Sequence, residues 1–378
     1  MDIGLGDPNS LRPNVVDTAR AVELGVRARC TSSRGGCAVA SGLDAAVNFE
    51  HVQPGFRIVF GAGSFERLAD ELEPRRWLIV HGGSQAAAAE RLAGRLGADT
   101  FGEVRRHVPA DLAERARARF AELGADGLVA IGGGSAIGLA KAIALTAQAP
   151  IVAVPTTFAG SEMTAVYGLT AEGRKRTGRD EAVRPGTVVY DPDLVRGLPR
   201  EVAGPSAMNA LAHCVDALWA TGATPVSTLL AEGGARALRE GLDAEDHERL
   251  LYGAALAGWT FGVVGGALHH RICHLLGGAF DLPHAETHSA VLSHVAALNA
   301  PAVPEAAARL AAALGAGELA AGVFDLARRS GAPTGLRELG LSRDDLDGLA
   351  ATVAEQAVGN PVPLDERAAR DLLRRAWD

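Results

Sequence analysis

Five histidines stand close together in this chain: His269, His270, His274, His284 and His288. Six of its eleven histidines fall between residues 269 and 294, a clustering that an even spread would not produce. His270 and His274 are four apart, which puts both on one face of a helix. Gly277 and Gly278 are expected to end that helix, and Asp281, Leu282 and Pro283 to turn the chain into a loop that carries His284. Two helical histidines and one from the next loop then converge on one small volume. Imidazoles so arranged suit a metal ion or form a donor-rich, cationic pocket for an anion. The alternative without function is a histidine-rich helix whose rings each find a separate polar partner.

Two further stretches have chemistry in their spacing. Asn209 and His213 are four apart, so an amide and an imidazole share a helical face. A carboxylate at 209 would make this half of a metal site. The run Ala130-Ile131-Gly132-Gly133-Gly134-Ser135 reads as a strand entering a glycine turn at a helix start. Glycines there let the backbone approach a pyrophosphate, and the helix start offers free N–H groups and the positive end of its dipole. A tight structural turn is the bland reading. It is not the GxGxxG fingerprint of an ordinary Rossmann domain. After the next strand come Thr156, Thr157 and Ser161, hydroxyls suited to phosphates and ribose at the carboxyl ends of parallel strands.

The elements that hold these residues follow from the hydrophobic pattern. Residues 56–60, 77–80, 127–131 and 151–154 are short apolar runs bounded by turn residues and read as strands. Helical patterns follow at 85–96, 109–123 and 136–147, with Ser64 as the N-cap of an earlier one. Strands alternating with helices imply a parallel sheet covered on both faces. Beyond about residue 199 the texture becomes helical, with examples over 207–220, 226–240, 247–264 and 365–377. The expected organisation is a poorly ordered extension over 1–48, with at most one short helix near 14–27. An α/β nucleotide-binding domain over 49–199 and an all-helical domain over 200–378 follow it.

Bulk composition narrows the function. The 378 residues carry 37 basic and 45 acidic side chains, a net charge of −8, which argues against a general nucleic-acid binder. No run of about 18 apolar residues is present, so no membrane-spanning helix is expected. The four cysteines, Cys30, Cys37, Cys214 and Cys273, show no close pairing, and a reducing cytoplasm fits them.

Taken together, several segments resemble the iron-containing alcohol dehydrogenase superfamily, with its dehydroquinate synthase-like fold, and within it most closely the maleylacetate reductase family. They are Val59 to Gly63, Gly132 to Ser135, Pro155 to Thr157 with Ser161-Glu162, Gly173 to Thr177, Asp191-Pro192, Asn209 to His213, Ala267 to His274 and Leu282 to His288. The likeness runs from about Phe49 to the C-terminus. It implies that Gly132, Gly133, Gly134, Ser135, Thr156, Thr157 and Ser161 bind NADH or NADPH. Metal-dependent members hold a divalent ion with one Asp and three His, which correspond here to Asn209, His213, His270 and His284. Asn is neutral, so the site loses its anionic donor. The resemblance thus implies reduction of the maleylacetate C=C bond to 3-oxoadipate, in aromatic-compound degradation, without a metal. His213, His270, His284, Asn209 and, one turn along, His274 would line the site, and Lys175, Arg174 and Arg271 would meet the substrate carboxylates. No Asp follows the strand at 77–80, so NADPH stays open beside NADH. A homodimer is also implied. The competing readings are a metal-dependent alcohol or aldehyde dehydrogenase, a tailoring reductase acting on another enone or oxo-acid, and a non-catalytic nucleotide binder.

Overall fold

The computed structural model describes residues 49–53, 56–171 and 174–378. The expectations for residues 1–48, with Cys30 and Cys37, lie outside the described residues. The chain then runs β1 (Phe49–Gln53), β2 (Phe56–Phe60), α1 (Ser64–Glu71), β3 (Trp77–His81), α2 (Ala86–Leu96), β4 (Asp99–Phe101) and α3 (Ala110–Glu122). It continues with β5 (Gly127–Gly132), α4 (Gly134–Ala147), β6 (Ile151–Pro155), the hairpin β7 (Val166–Ala171) and β8 (Arg174–Arg179), and β9 (Thr187–Tyr190). Helices follow: α5 (Arg200–Asp216), α6 (Pro225–Ala244), α7 (His247–Val264), α8 (Leu268–Phe280), α9 (His284–Asn299), α10 (Pro304–Ala313), α11 (Leu319–Ser330), α12 (Arg343–Asp347), α13 (Ala350–Gln356) and α14 (Glu366–Trp377).

Side chains alternate across a strand, so an unbroken apolar run needs cover on both faces. Leu78, Val80, Leu128, Ala130, Ile151 and Ala153 enter one core, while Trp77, Ile79, Val129, Ile131, Val152 and Val154 enter the other. The first core continues without a break into the helices, through Ala207, Leu211, Ile272 and Leu292. The sheet order is β1-β2-β9-β6-β5-β3-β4, parallel apart from β1 on β2. The chain winds outward from β3 to β4 and then back past β3 to β5 and β6. The direction therefore reverses between β3 and β5, whose carboxyl ends lie side by side with His81 opposite Ile131. A crevice for a ligand opens at such a reversal.

Four local expectations change. Ser64 is the first residue of α1, and Gly63, at φ 71, holds the cap position. α4 starts at Gly134, so the glycine turn runs into the helix. α8 continues through Gly277 and Gly278 and stops at Asp281, which adopts φ 52. Each glycine costs a helix interior about 1 kcal/mol relative to Ala. Burial of Leu276 against the core offsets that cost. Finally, His284 is the first residue of α9, with Pro283 before it, rather than a loop residue. The hairpin β7–β8 was not foreseen. Among the described residues, no single helix is long and apolar enough to cross a membrane.

Candidate active site

The loops after β5 and β6 meet at the crevice. Thr156 N donates to Gly132 O at 3.1 Å. Gly132 sits at φ 151, and a Cβ there would lie 2.8 Å from that of Ala136. Glycine is therefore required. A Cβ on Gly133 would lie 2.8 Å from Thr157 Oγ1, so the two loops touch. No side chain caps the start of α4, which leaves its first N–H groups for a ligand. This cradle, with Gly134 and Ser135 in the first turn and Ser161 at the far end of the Thr loop, fits a dinucleotide phosphate. Lys141, further along α4, is fully buried and cannot reach a ligand. Its Nζ donates to Ser161 O, Thr164 O, Thr164 Oγ1 and Val166 O, all within 3.0 Å, and so pins the loop. Beside it Glu162 accepts from the Tyr190 hydroxyl at 2.9 Å. No acidic residue ends β3, where a buried His81 stands instead.

The histidines come together as expected, but on three helices. Asn209 and His213 lie one turn apart on α5, and both are buried. The His213 ring stacks on Phe261 at 4.4 Å and lies 5.1 Å from the His270 ring. The His274 and His284 rings stack at 5.8 Å, and His284 lies 4.3 Å from His288. His288 in turn lies 4.7 Å from His270. Burial, helped by the neighbouring His270, holds His213 well below the usual histidine range.

The loop between the two halves of the site also packs on this cluster. Asn209 Nδ2 donates to Ala159 O at 3.2 Å. Gly160 has φ 74, and a Cβ there would lie 2.5 Å from His213 Cε1. Gly160→Ala is accordingly expected to cost about 1–3 kcal/mol of stability. Turnover should fall with it as His213 is pushed aside. A denaturant titration and an activity assay check this, and wild-type values in both would refute the contact.

The sequence reading missed one residue at the centre of the site. Asp216 is fully buried at the end of α5. Its Oδ2 accepts from His270 Nδ1 at 2.7 Å and from the backbone N–H groups of Ala267 and His270. Its Oδ1 accepts from Trp219 Nε1 at 3.0 Å. Burial pushes this carboxyl up, but the His270 hydrogen bond and the surrounding positive groups outweigh it and hold it down at about 2. Asp216 is therefore an anion that fixes a proton on His270 Nδ1 and leaves Nε2 to face the cluster with no partner among the described residues. A signal was present in the sequence: one acid inside the apolar run Cys214-Val215-Asp216-Ala217-Leu218-Trp219 must find a partner when buried.

Other expectations fare differently. Arg271 does not face the site, because its guanidinium donates to the carbonyls of Gln356 and Val358. It is thus a structural tie, not a carboxylate partner. Arg174 and Lys175 lie on β8, with Lys175 opposite Thr170, and their side chains fall outside the described residues. The metal positions offer three imidazoles and a neutral amide oxygen with no anionic ligand, so a divalent ion would be held there more weakly than with the family's carboxylate. The amide nitrogen is already bonded to Ala159. Asn209 Oδ1 stays buried with no partner among the described residues.

Comparison with known proteins agrees with this architecture. Residues 54–192 match the model of the iron-containing alcohol dehydrogenases, and residues 204–377 that of the family's C-terminal part. The maleylacetate reductase of Burkholderia cepacia is 45% identical over 336 residues, covering 85% of this chain and 96% of the relative. The solved maleylacetate reductase of Rhizobium sp. strain MTP-10005 superposes with a TM-score of 0.81 at 40% identity, over 88% of this chain and 99% of that one. That of Agrobacterium tumefaciens gives 0.78 at 43% identity, over 85% and 96%. This chain is an oxidoreductase of the iron-containing alcohol dehydrogenase family.

Proposed function

We propose that the enzyme reduces the C=C bond of maleylacetate to give 3-oxoadipate, with NADH or NADPH and without a metal in the chemical step. The observation that carries this is Asn209, a neutral amide tied to Ala159 one helical turn from His213, in a chain whose relatives at 41–45% identity include maleylacetate reductases. Bound NADH or NADPH supplies the hydride, which forms a C–H bond at the alkene carbon β to the ketone. The π electrons move onto the carbonyl oxygen as an enolate, and a proton then adds at the α carbon. His213, His270, His274 and His284 give the N–H donors that such an oxyanion and a dicarboxylate require. His270 can hold or release a proton at Nε2 because Asp216 keeps Nδ1 protonated. Lys175 and Arg174 on β8 are assigned to the substrate carboxylates. In this reading the enzyme is a cytoplasmic homodimer, and β1, the last strand of the sheet among the described residues, is where a second copy would pair.

The test is a steady-state assay of maleylacetate with each nicotinamide cofactor, before and after exhaustive chelation. Substrate-dependent loss of reduced-cofactor absorbance, unchanged by the chelator, is the expected result. No loss with maleylacetate would sink the substrate assignment. Turnover of alcohols or aldehydes that dies on chelation would instead identify a metal-dependent dehydrogenase. Asn209→Asp should raise divalent-metal affinity and weaken dicarboxylate binding, each by about tenfold. Calorimetric metal titration and KM measure the two effects. If neither moves, the pocket does not work as described.

A further inference from the structure

We propose that His269, Cys273 and His288 form a buried site for a thiophilic ion of the Zn²⁺ class, separate from Asn209, His213, His270 and His284. His269 and Cys273 are one turn apart on α8, and His288 comes from the neighbouring α9. Their ligand atoms all lie within 4.8 Å of one another. His269 Nε2 is 2.9 Å from His288 Nδ1, and Cys273 Sγ is 3.6 Å from His269 Nε2. A tetrahedral ion with Zn–N near 2.05 Å and Zn–S near 2.3 Å needs N···S of about 3.6 Å and N···N of about 3.4 Å. Cys273 Sγ already stands at that distance from His269 Nε2, and the two rings must part by roughly half an ångström.

The chemistry of the set selects the ion. One thiolate and two imidazoles suit a borderline-soft cation and not the oxygen-seeking Mg²⁺ or Ca²⁺. The charges also balance. The thiolate offsets one positive charge of a divalent ion, and the Asp216 carboxylate, whose field reaches both His269 and Cys273, offsets the other. Without the ion, burial keeps the Cys273 thiol protonated. Loading therefore releases that proton, and affinity rises with pH.

All three residues are within 1% of full burial, so the ion enters during folding or local opening and leaves slowly. Binding at Nδ1 forces the His288 proton onto Nε2, a buried nitrogen with no partner among the described residues, beside His284 and His270. The ion would thus set one more donor in the histidine cluster while standing behind it. The proposal does not depend on which substrate the enzyme reduces.

The experiment uses full-length enzyme carrying Cys30→Ser, Cys37→Ser and Cys214→Ala, so that Cys273 is its one thiol. The metal-stripped protein is refolded with Co²⁺ and its absorption recorded. The expected result is a thiolate-to-cobalt charge-transfer band that saturates at about one ion per chain and persists when His213→Ala is added. Helical circular dichroism confirms folding, and the same titration on enzyme with all four cysteines intact decides the question should the variant fail to fold. There, the band must vanish on adding Cys273→Ser or His288→Ala. A folded protein with no such band overturns the proposal. So does cobalt absorption that lacks the thiolate band and disappears with His213→Ala, which would put the ion at the family's position.

Discussion

Replacing Asp216 with asparagine is expected to lower kcat/KM by about 100-fold in a protein that still folds. The change keeps the shape of the side chain and removes its charge. His270 then loses the anion that fixes its proton on Nδ1, and Nε2 is no longer held as the acceptor that faces the cluster. The three donors at Oδ2, two backbone and one imidazole, lose a charged acceptor, so stability should also fall by about 2–3 kcal/mol. If Asp216 acts through His270, the loss appears in kcat more than in KM, and the pH profile of kcat shifts. A purely structural role would lower the thermal midpoint and leave the pH profile of the folded fraction unchanged. Activity within about threefold of wild type would end this account.

The second large effect concerns acid. In an unfolded chain histidine titrates near pH 6.5. In the fold, burial holds His213 and His288 well below that value and brings His269 down to about 3. Below pH 6.5 the unfolded chain therefore binds more protons than the native one, and stability falls as pH drops. Each such ring contributes roughly 1.4 kcal/mol per pH unit once it is protonated in the unfolded state only. Three rings together give a slope near 4 kcal/mol per unit, enough to unfold an ordinary domain within two or three units. Asp216 does not blunt this loss, because a carboxyl lowered to about 2 gives up its own stabilisation only below pH 4. The measurement is a series of denaturant midpoints for chelator-treated enzyme between pH 7.5 and 5. A flat series would mean that the rings are not buried neutral.

Much of the architecture could be read before any coordinates. The apolar runs at 77–80, 127–131 and 151–154 demanded cover on both faces, and that alone specified a parallel sheet with helices around it. The hairpin β7–β8 escaped because Arg174, Lys175, Arg176 and Arg179 carry no alternating apolar pattern.

At the site, local spacing was enough to put Asn209 with His213, and His270 with His274, on shared helical faces. That follows from the helical repeat, which a sequence contains in full. The resemblance to the family, taken position by position, implied that its carboxylate is replaced by an amide at 209. What no local rule contained is pairing between residues far apart in the chain. Asp216 and His270 are 54 positions apart, and Lys141 and Thr164 are 23 apart. Their partnership exists only because α5 packs beside α8 and α4 runs beneath the loop after β6. Tertiary packing also decided which nitrogen of His270 is held and which is left open, and it turned Arg271 into a structural tie. It carried α8 through two glycines that should have stopped it. Burial explains each case: it makes an unpaired polar group costly, so the fold chooses partners by proximity, and proximity is what a linear sequence does not state.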